Sequence, residues 1–197
     1  MAPRTRNVKT FVNRVARGVF TATLGALVIA LSARATFSLP GSELPQSAQT
    51  LAVLVMGATL GCGRGTLAVA LYLFAGAVGL PVFSDGTGGL AKLLGPSAGY
   101  LLGFLCAAAA VGWLADRRPF GQAWWRDSGL MLAAHGLILL LGGGMLAMRL
   151  GPLDAWSQGV TPFLVGAVLK SAAAALLMRA AGGRLPLSRR GSVQAES

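Results

Sequence analysis

The sequence is poor in charge, and poorest in negative charge. Asp, Glu, Lys and Arg make up 12% of its 197 residues, and only six are acids, against about 25% charged residues in an average soluble domain. With 54% hydrophobic residues and a mean hydropathy of +0.66, lipid rather than water is the expected main solvent. Cysteine is scarce as well. Cys62 lies in a short turn and Cys106 inside an apolar run, a spacing that makes neither a metal site nor a redox pair. No G-x-x-x-x-G-K-[ST] segment occurs, so the chain carries no phosphate-binding loop of the ATPase type. No cofactor or metal is called for.

The basic residues that remain are placed for membrane orientation. The net charge of +11 would suit nucleic acid if it were gathered on one face, but it is divided among the termini and the short connections between apolar runs. The basic N-terminal region leads into a long apolar span, not into the short apolar stretch and cleavage site of a secretory signal.

Six apolar runs follow one another at about 18–34, 48–61, 66–79, 96–115, 128–148 and 158–181. A helix needs about 20 apolar residues to cross the hydrocarbon core. The second and third runs are short and separated only by the turn Cys62-Gly63-Arg64-Gly65; they are read as two spans because the charges then fall into place. With a cytoplasmic N-terminus, thirteen Lys and Arg residues lie inside, three (Arg34, Lys92 and Arg149) lie outside, and Lys170 is left within the membrane, a strong positive-inside bias. The expectation is an all-α integral membrane protein of the plasma membrane. It has six transmembrane helices and both termini cytoplasmic: a basic segment 1–17, a membrane domain 18–181 and a basic tail 182–197. The outer face then carries two irregular loops, 35–47 with Pro40 and Pro45, and the glycine-rich 80–95. Irregular backbone near membrane depth must be buried or line a wet cavity, so both loops are candidate lids.

Several residues stand out against this background. Lys170 sits about eleven residues from either end of its run; a cation so deep is costly and normally faces a cavity with a partner. Asp85 lies in the outer loop Phe83-Ser84-Asp85-Gly86-Thr87-Gly88-Gly89, where Gly88 and Gly89 allow backbone to approach a ligand closely. Gln49 and Thr50 are polar at the outer end of an apolar helix, and Arg34 closes the first span on the same side, where it pairs with a ligand carboxylate or anchors the interface. Ala22, Ala26 and Ala30 form a small-residue stripe suited to close helix packing, internal or with a partner. Gly95-Pro96-Ser97-Ala98-Gly99 matches the G-x-S-x-G pattern, and with His135, the sole histidine, it raises an alternative: an intramembrane serine hydrolase. The match lacks the preceding strand that the motif requires.

The stretches SLPGSELPQSAQTLAVLVMGATLG, GTLAVALYLFAGAVGLPVF and GGLAKLLGPSAGYLLGF, and Thr161-Pro162-Phe163-Leu164 through Lys170, resemble the BioY family, the biotin-specific S components of energy-coupling-factor (ECF) transporters. The similarity is strong over 34–104 and again over 161–170. It implies a non-enzymatic, six-helix subunit that captures biotin at the outer face for import. Its implied partners are biotin, the lipid bilayer, a transmembrane coupling (T) subunit and a pair of ATPases. It also implies that Ala22, Ala26 and Ala30 dock on the coupling subunit. The family's sixth-span motif ends in an aspartate followed three residues later by a lysine. Here the lysine is Lys170 and the aspartate position is Ala167. The resemblance therefore leads to the expectation that Asp85 supplies the missing carboxylate, accepting a ureido N–H of biotin while Lys170 donates to the ureido carbonyl. The fused rings and aliphatic tail of such a ligand need an apolar pocket, for which Phe83, Leu90 and Tyr100 are candidate walls. A related small acid is the alternative ligand.

Overall fold

The computed structural model of the chain describes residues 4–37 and 46–182. Pro40, Pro45 and nearly all of the basic tail lie outside the described residues.

The first helix, α1 (Arg4–Arg34), starts within the basic segment rather than at 18. No proline interrupts it, and Arg and Lys are good helix formers. Its apolar part, Thr10–Arg34, is long enough to span a membrane. Ala22 is fully buried, and Ala26 and Ala30 pack against the core. A Cβ at Gly25 would lie 2.9 Å from that of Ala68, so α1 meets the next helix at close range. The alanine stripe expected to dock a partner is thus turned inward, where small side chains permit this approach. The face left exposed carries Phe20, Leu24, Leu27 and Leu31.

A two-residue antiparallel ladder, β1 (Thr36–Phe37) with β2 (Gln46–Ser47), forms the stem of the first irregular loop. The next element, α2 (Gln49–Ala77), breaks sharply at Gly61, whose φ of 78° and ψ of 179° are not helical and belong to a region open essentially to glycine. Two contacts that pair residues nearly equidistant from this break show what it does. Gly65 packs on the backbone of Gly57, and Gln49 Nε2 donates to Tyr72 Oη over 2.8 Å. In a straight helix Gln49 and Tyr72 would stand about 35 Å apart at ~1.5 Å per residue. The element is therefore a hairpin of two antiparallel legs, as the charge pattern had required. The reversal falls at Gly61, one residue before the expected turn. Asp116 Oδ2 accepts the Cys62 N–H at 3.0 Å, and so satisfies one of the free donors where the second leg begins.

After a glycine-rich loop and the short α3 (Leu90–Leu94) comes α4 (Ala98–Arg117). Its glycines are contact points. Gly112 meets the backbone of Gly61 and Cys62, while Gly103 and Gly99 meet the backbone of α5 (Trp124–Leu150). Gly151, at φ 87°, ends α5. Pro152, suited by its fixed φ to a first helical turn, restarts the chain at once as α6 (Pro152–Asp154), a π-helical turn (Ala155–Val160) and α7 (Thr161–Ala180). The connection expected over 149–157 is thus a single glycine turn followed by helix.

The fold is all-helical apart from the small ladder. Five helical stretches are long and apolar enough to cross a membrane among the described residues, one of them the folded-back α2. Large apolar side chains such as Leu140, Met148 and Leu177 point outward, as lipid demands. The two ends of the bundle differ. Arg64, Arg117, Arg118, Arg126 and Arg179 gather at the end with the α2 bend, whereas Arg34, Lys92 and Arg149 belong to the end with the two irregular loops.

Candidate ligand-binding site

At the loop end the helices enclose a cavity of about 340 Å³. The stem of the first loop and the whole of the second are tied down beside it. Gln46 is 1% exposed, lies against Gly166 and donates from Nε2 to Pro162 O at 2.6 Å, which fastens the ladder to the start of α7. Phe83 is buried against Gly76, where any Cβ would collide with the ring, and meets Tyr72 edge-on at 5.7 Å. Gly89 N–H donates to Gly76 O at 2.7 Å. The second loop is thereby anchored to the second leg of α2.

The walls are mostly apolar. Phe83, Leu101, Phe104, Ile138, Leu146 and Phe163 supply carbon surface, and Tyr100 stands beside Phe163 with its hydroxyl donating to Gly159 O at 2.6 Å. A few polar groups break this surface. Lys170 lies in the wall, 8% exposed, with Nζ 3.3 Å from Ser47 O; the ammonium keeps further N–H groups to donate. Gln49 and Thr50 also line the cavity, and Thr50 Oγ1 is buried with no hydrogen-bond partner among the described residues. His135 Nε2, also in the wall, is in the same condition. Buried polar atoms without partners are uncommon in folded proteins and mark places where a ligand or water completes the bonding. Ala167 lines the cavity too.

Of the residues picked from sequence, Gln49, Thr50, Phe83, Tyr100 and Lys170 therefore converge on one cavity. The others do not reach it. Asp85 is outside the wall; its carboxylate pairs with Lys92 and accepts from Thr87 Oγ1 at 2.7 Å. Burial pushes the Asp85 pKa up, but hydrogen bonds from Lys92 and Thr87 and the Lys92 charge outweigh that and hold it at about 2. The carboxylate expected to replace an aspartate at Ala167 is engaged within its own loop. Arg34 lies outside the wall as well, with its guanidinium against Gly86. Gly88 packs on the backbone of Gly79 and Leu80, and Gly89 serves the loop anchor. Leu90 is exposed. Sequence reasoning missed Lys92, Gln158 and, as a lining residue beside Lys170, His135. The signal for His135 was there, a lone ionisable residue in an apolar run, the same signal that singled out Lys170.

Ser97 and His135 do face the same cavity, but as separate groups. Ser97 Oγ donates to Lys92 O at 3.1 Å, and His135 Nδ1 lies 2.9 Å from Ser171 Oγ. Among the described residues the two make no hydrogen bond to one another, and so lack the nucleophile–base contact that activates a serine.

The family model described as the BioY family matches residues 4–186. The chain belongs to the BioY family. Among its relatives, the biotin transporter BioY of Rhizobium etli is 37% identical over 182 residues, covering 86% of this chain and 94% of the relative. The BioY protein of Thermotoga maritima is 37% identical over 161 residues, covering 81% and 89%. A crystal structure of the S component for biotin from an ECF-type ABC transporter superimposes with a TM-score of 0.73 at 21% identity, over 86% of this chain and 93% of that one. That structure shares the overall fold of this BioY chain.

Proposed function

We propose that the chain is the substrate-binding S subunit of a biotin uptake transporter and that it captures biotin at the outer face of the plasma membrane. One observation carries the reading: a BioY-family chain holds a mostly apolar cavity of about 340 Å³ with a few isolated polar groups at the loop end. That volume lies within the roughly 300–1,000 Å³ of small-molecule sites, where a few placed polar groups confer specificity. Biotin fits this chemistry. Its fused rings and aliphatic tail need carbon surface, and its ureido group offers two N–H donors and one carbonyl. Lys170 Nζ donates to that carbonyl, and Phe83, Tyr100 and Phe163 cover the rings.

Six spans with both termini cytoplasmic follow from counting the two legs of α2 separately. The concentration of arginines at the bend end supports that side as cytoplasmic, which turns the cavity outward. Lacking a phosphate-binding loop, the subunit draws its energy from partner ATPases through a membrane-embedded coupling subunit.

Isothermal titration of the purified protein in detergent with biotin tests the proposal. Saturable binding of one biotin per chain is expected; no heat at micromolar biotin would refute it.

A further inference from the structure

The cavity holds a second polar pole that the ligand contacts above leave unused. His135 is 3% exposed and lies in the cavity wall. Its two ring nitrogens have different surroundings. Nδ1 is 3.3 Å from Met131 O and 2.9 Å from Ser171 Oγ. A carbonyl only accepts, so Met131 requires a proton on Nδ1. The Ser171 hydroxyl donates its single proton to Ala167 O at 2.7 Å, so its oxygen offers Nδ1 a lone pair. Both neighbours thus select the tautomer with hydrogen on Nδ1, and an uncharged imidazole so held presents a bare lone pair at Nε2. Nε2 is buried and has no partner among the described residues. It is a free acceptor on a residue that lines the cavity, and Lys170, in the same lining, carries a donor at Nζ.

We infer that His135 Nε2 accepts one ureido N–H of the bound ligand, with Ser171 as the positioning residue that fixes its tautomer. This rests on the biotin reading above and names a specificity residue within it. An acceptor and a donor in the lining of one cavity match a group that carries N–H beside C=O. The cavity therefore selects a cyclic urea or similar amide over an ester or ether of the same shape. Ala167, small and flanked by Ser171 and Lys170 on α7, leaves room for the ligand to approach the imidazole.

The test is titration of the purified protein with biotin and with biotin methylated at one or the other ureido nitrogen. Wild type should bind biotin and reject at least one methylated isomer. His135→Ala should weaken biotin binding by roughly ten- to a hundredfold, as expected for a lost buried hydrogen bond, and should no longer distinguish that isomer from biotin by more than about threefold. His135→Gln, whose amide oxygen falls near the place of Nε2, should recover part of both. Ser171→Ala should lower discrimination less than His135→Ala does. A wild type that binds both methylated isomers as well as biotin overturns the inference even if no His135 variant folds. Unchanged affinity in a folded His135→Ala does the same and leaves the biotin reading intact. Failure of wild type to bind biotin overturns both.

Discussion

At the scale of single residues, the cavity separates groups that look alike in sequence. Lys170 and Lys92 both contribute to its lining, but Lys92 is tied to Asp85 at the surface and Lys170 is buried. Lys170→Met is therefore expected to lower biotin affinity by roughly tenfold or more in the same titration. Thermal stability should be unchanged or higher, because a buried cation is costly to hold. Asp85→Ala carries the opposite expectation. Its carboxylate binds Lys92 and Thr87, not the cavity, so affinity should stay within about threefold of wild type. The depressed Asp85 pKa fixes the sign of its pH response. The pairing is complete above the ordinary carboxylate value of 3.8 and lost only as pH falls through about 2, so biotin affinity at pH ~5 and pH ~8 should not differ through this group. The sequence misled at Asp85 for a local reason: its partner lies only seven residues away, on the short α3 that follows the loop. At His135 the missing information was distant. Of the two neighbours that leave the nitrogen bare, the nearer in space is a serine 36 residues further along the chain, which no spacing rule brings to it.

At the scale of elements, most of what was legible came from hydropathy and glycine. The apolar runs marked the helices, and the break between the second and third runs marked a reversal. The alanine stripe shows the limit of such reading, because spacing identifies a close-packing face without saying whether the neighbour is internal or foreign. The connection at 149–157 shows another, since one left-handed glycine and a proline suffice where a longer loop was expected. The α2 bend is the element most open to test. Gly61→Ala forces a side chain into a backbone region that costs about 1–3 kcal/mol and drives its Cβ into the Asp116 carboxylate. Its melting temperature in detergent should drop by several degrees. Gly63→Ala, two residues on, meets nothing within 4 Å and lies in helical backbone, where alanine is favoured by about 0.5–1 kcal/mol; it should leave the melting temperature unchanged or raise it. Equal losses in both variants would contradict the hairpin as described.

At the scale of the whole molecule, the fold is a bundle whose two ends do different work. One end gathers arginines, the bend and the α4–α5 connection; the other gathers the β1–β2 stem, the anchored second loop and the cavity. The orientation proposed here predicts an asymmetric labelling pattern. In cells carrying the protein with Cys62 and Cys106 replaced by serine, a membrane-impermeant maleimide added outside should modify Lys92→Cys and spare Arg118→Cys until the membrane is opened. The reverse pattern would invert the topology and place the cavity on the cytoplasmic side.

The two-legged form of α2 has a consequence for biogenesis. Neither leg, 49–60 nor 62–77, has the about 20 apolar residues that an insertion apparatus reads as an independent span, and neither satisfies its polar ends alone: Gln49 needs Tyr72, and Cys62 needs Asp116. The legs are therefore committed to the bilayer as a pair. Asp116 belongs to α4, so the tip of the hairpin acquires its cap only after a later helix has been synthesised and inserted beside it.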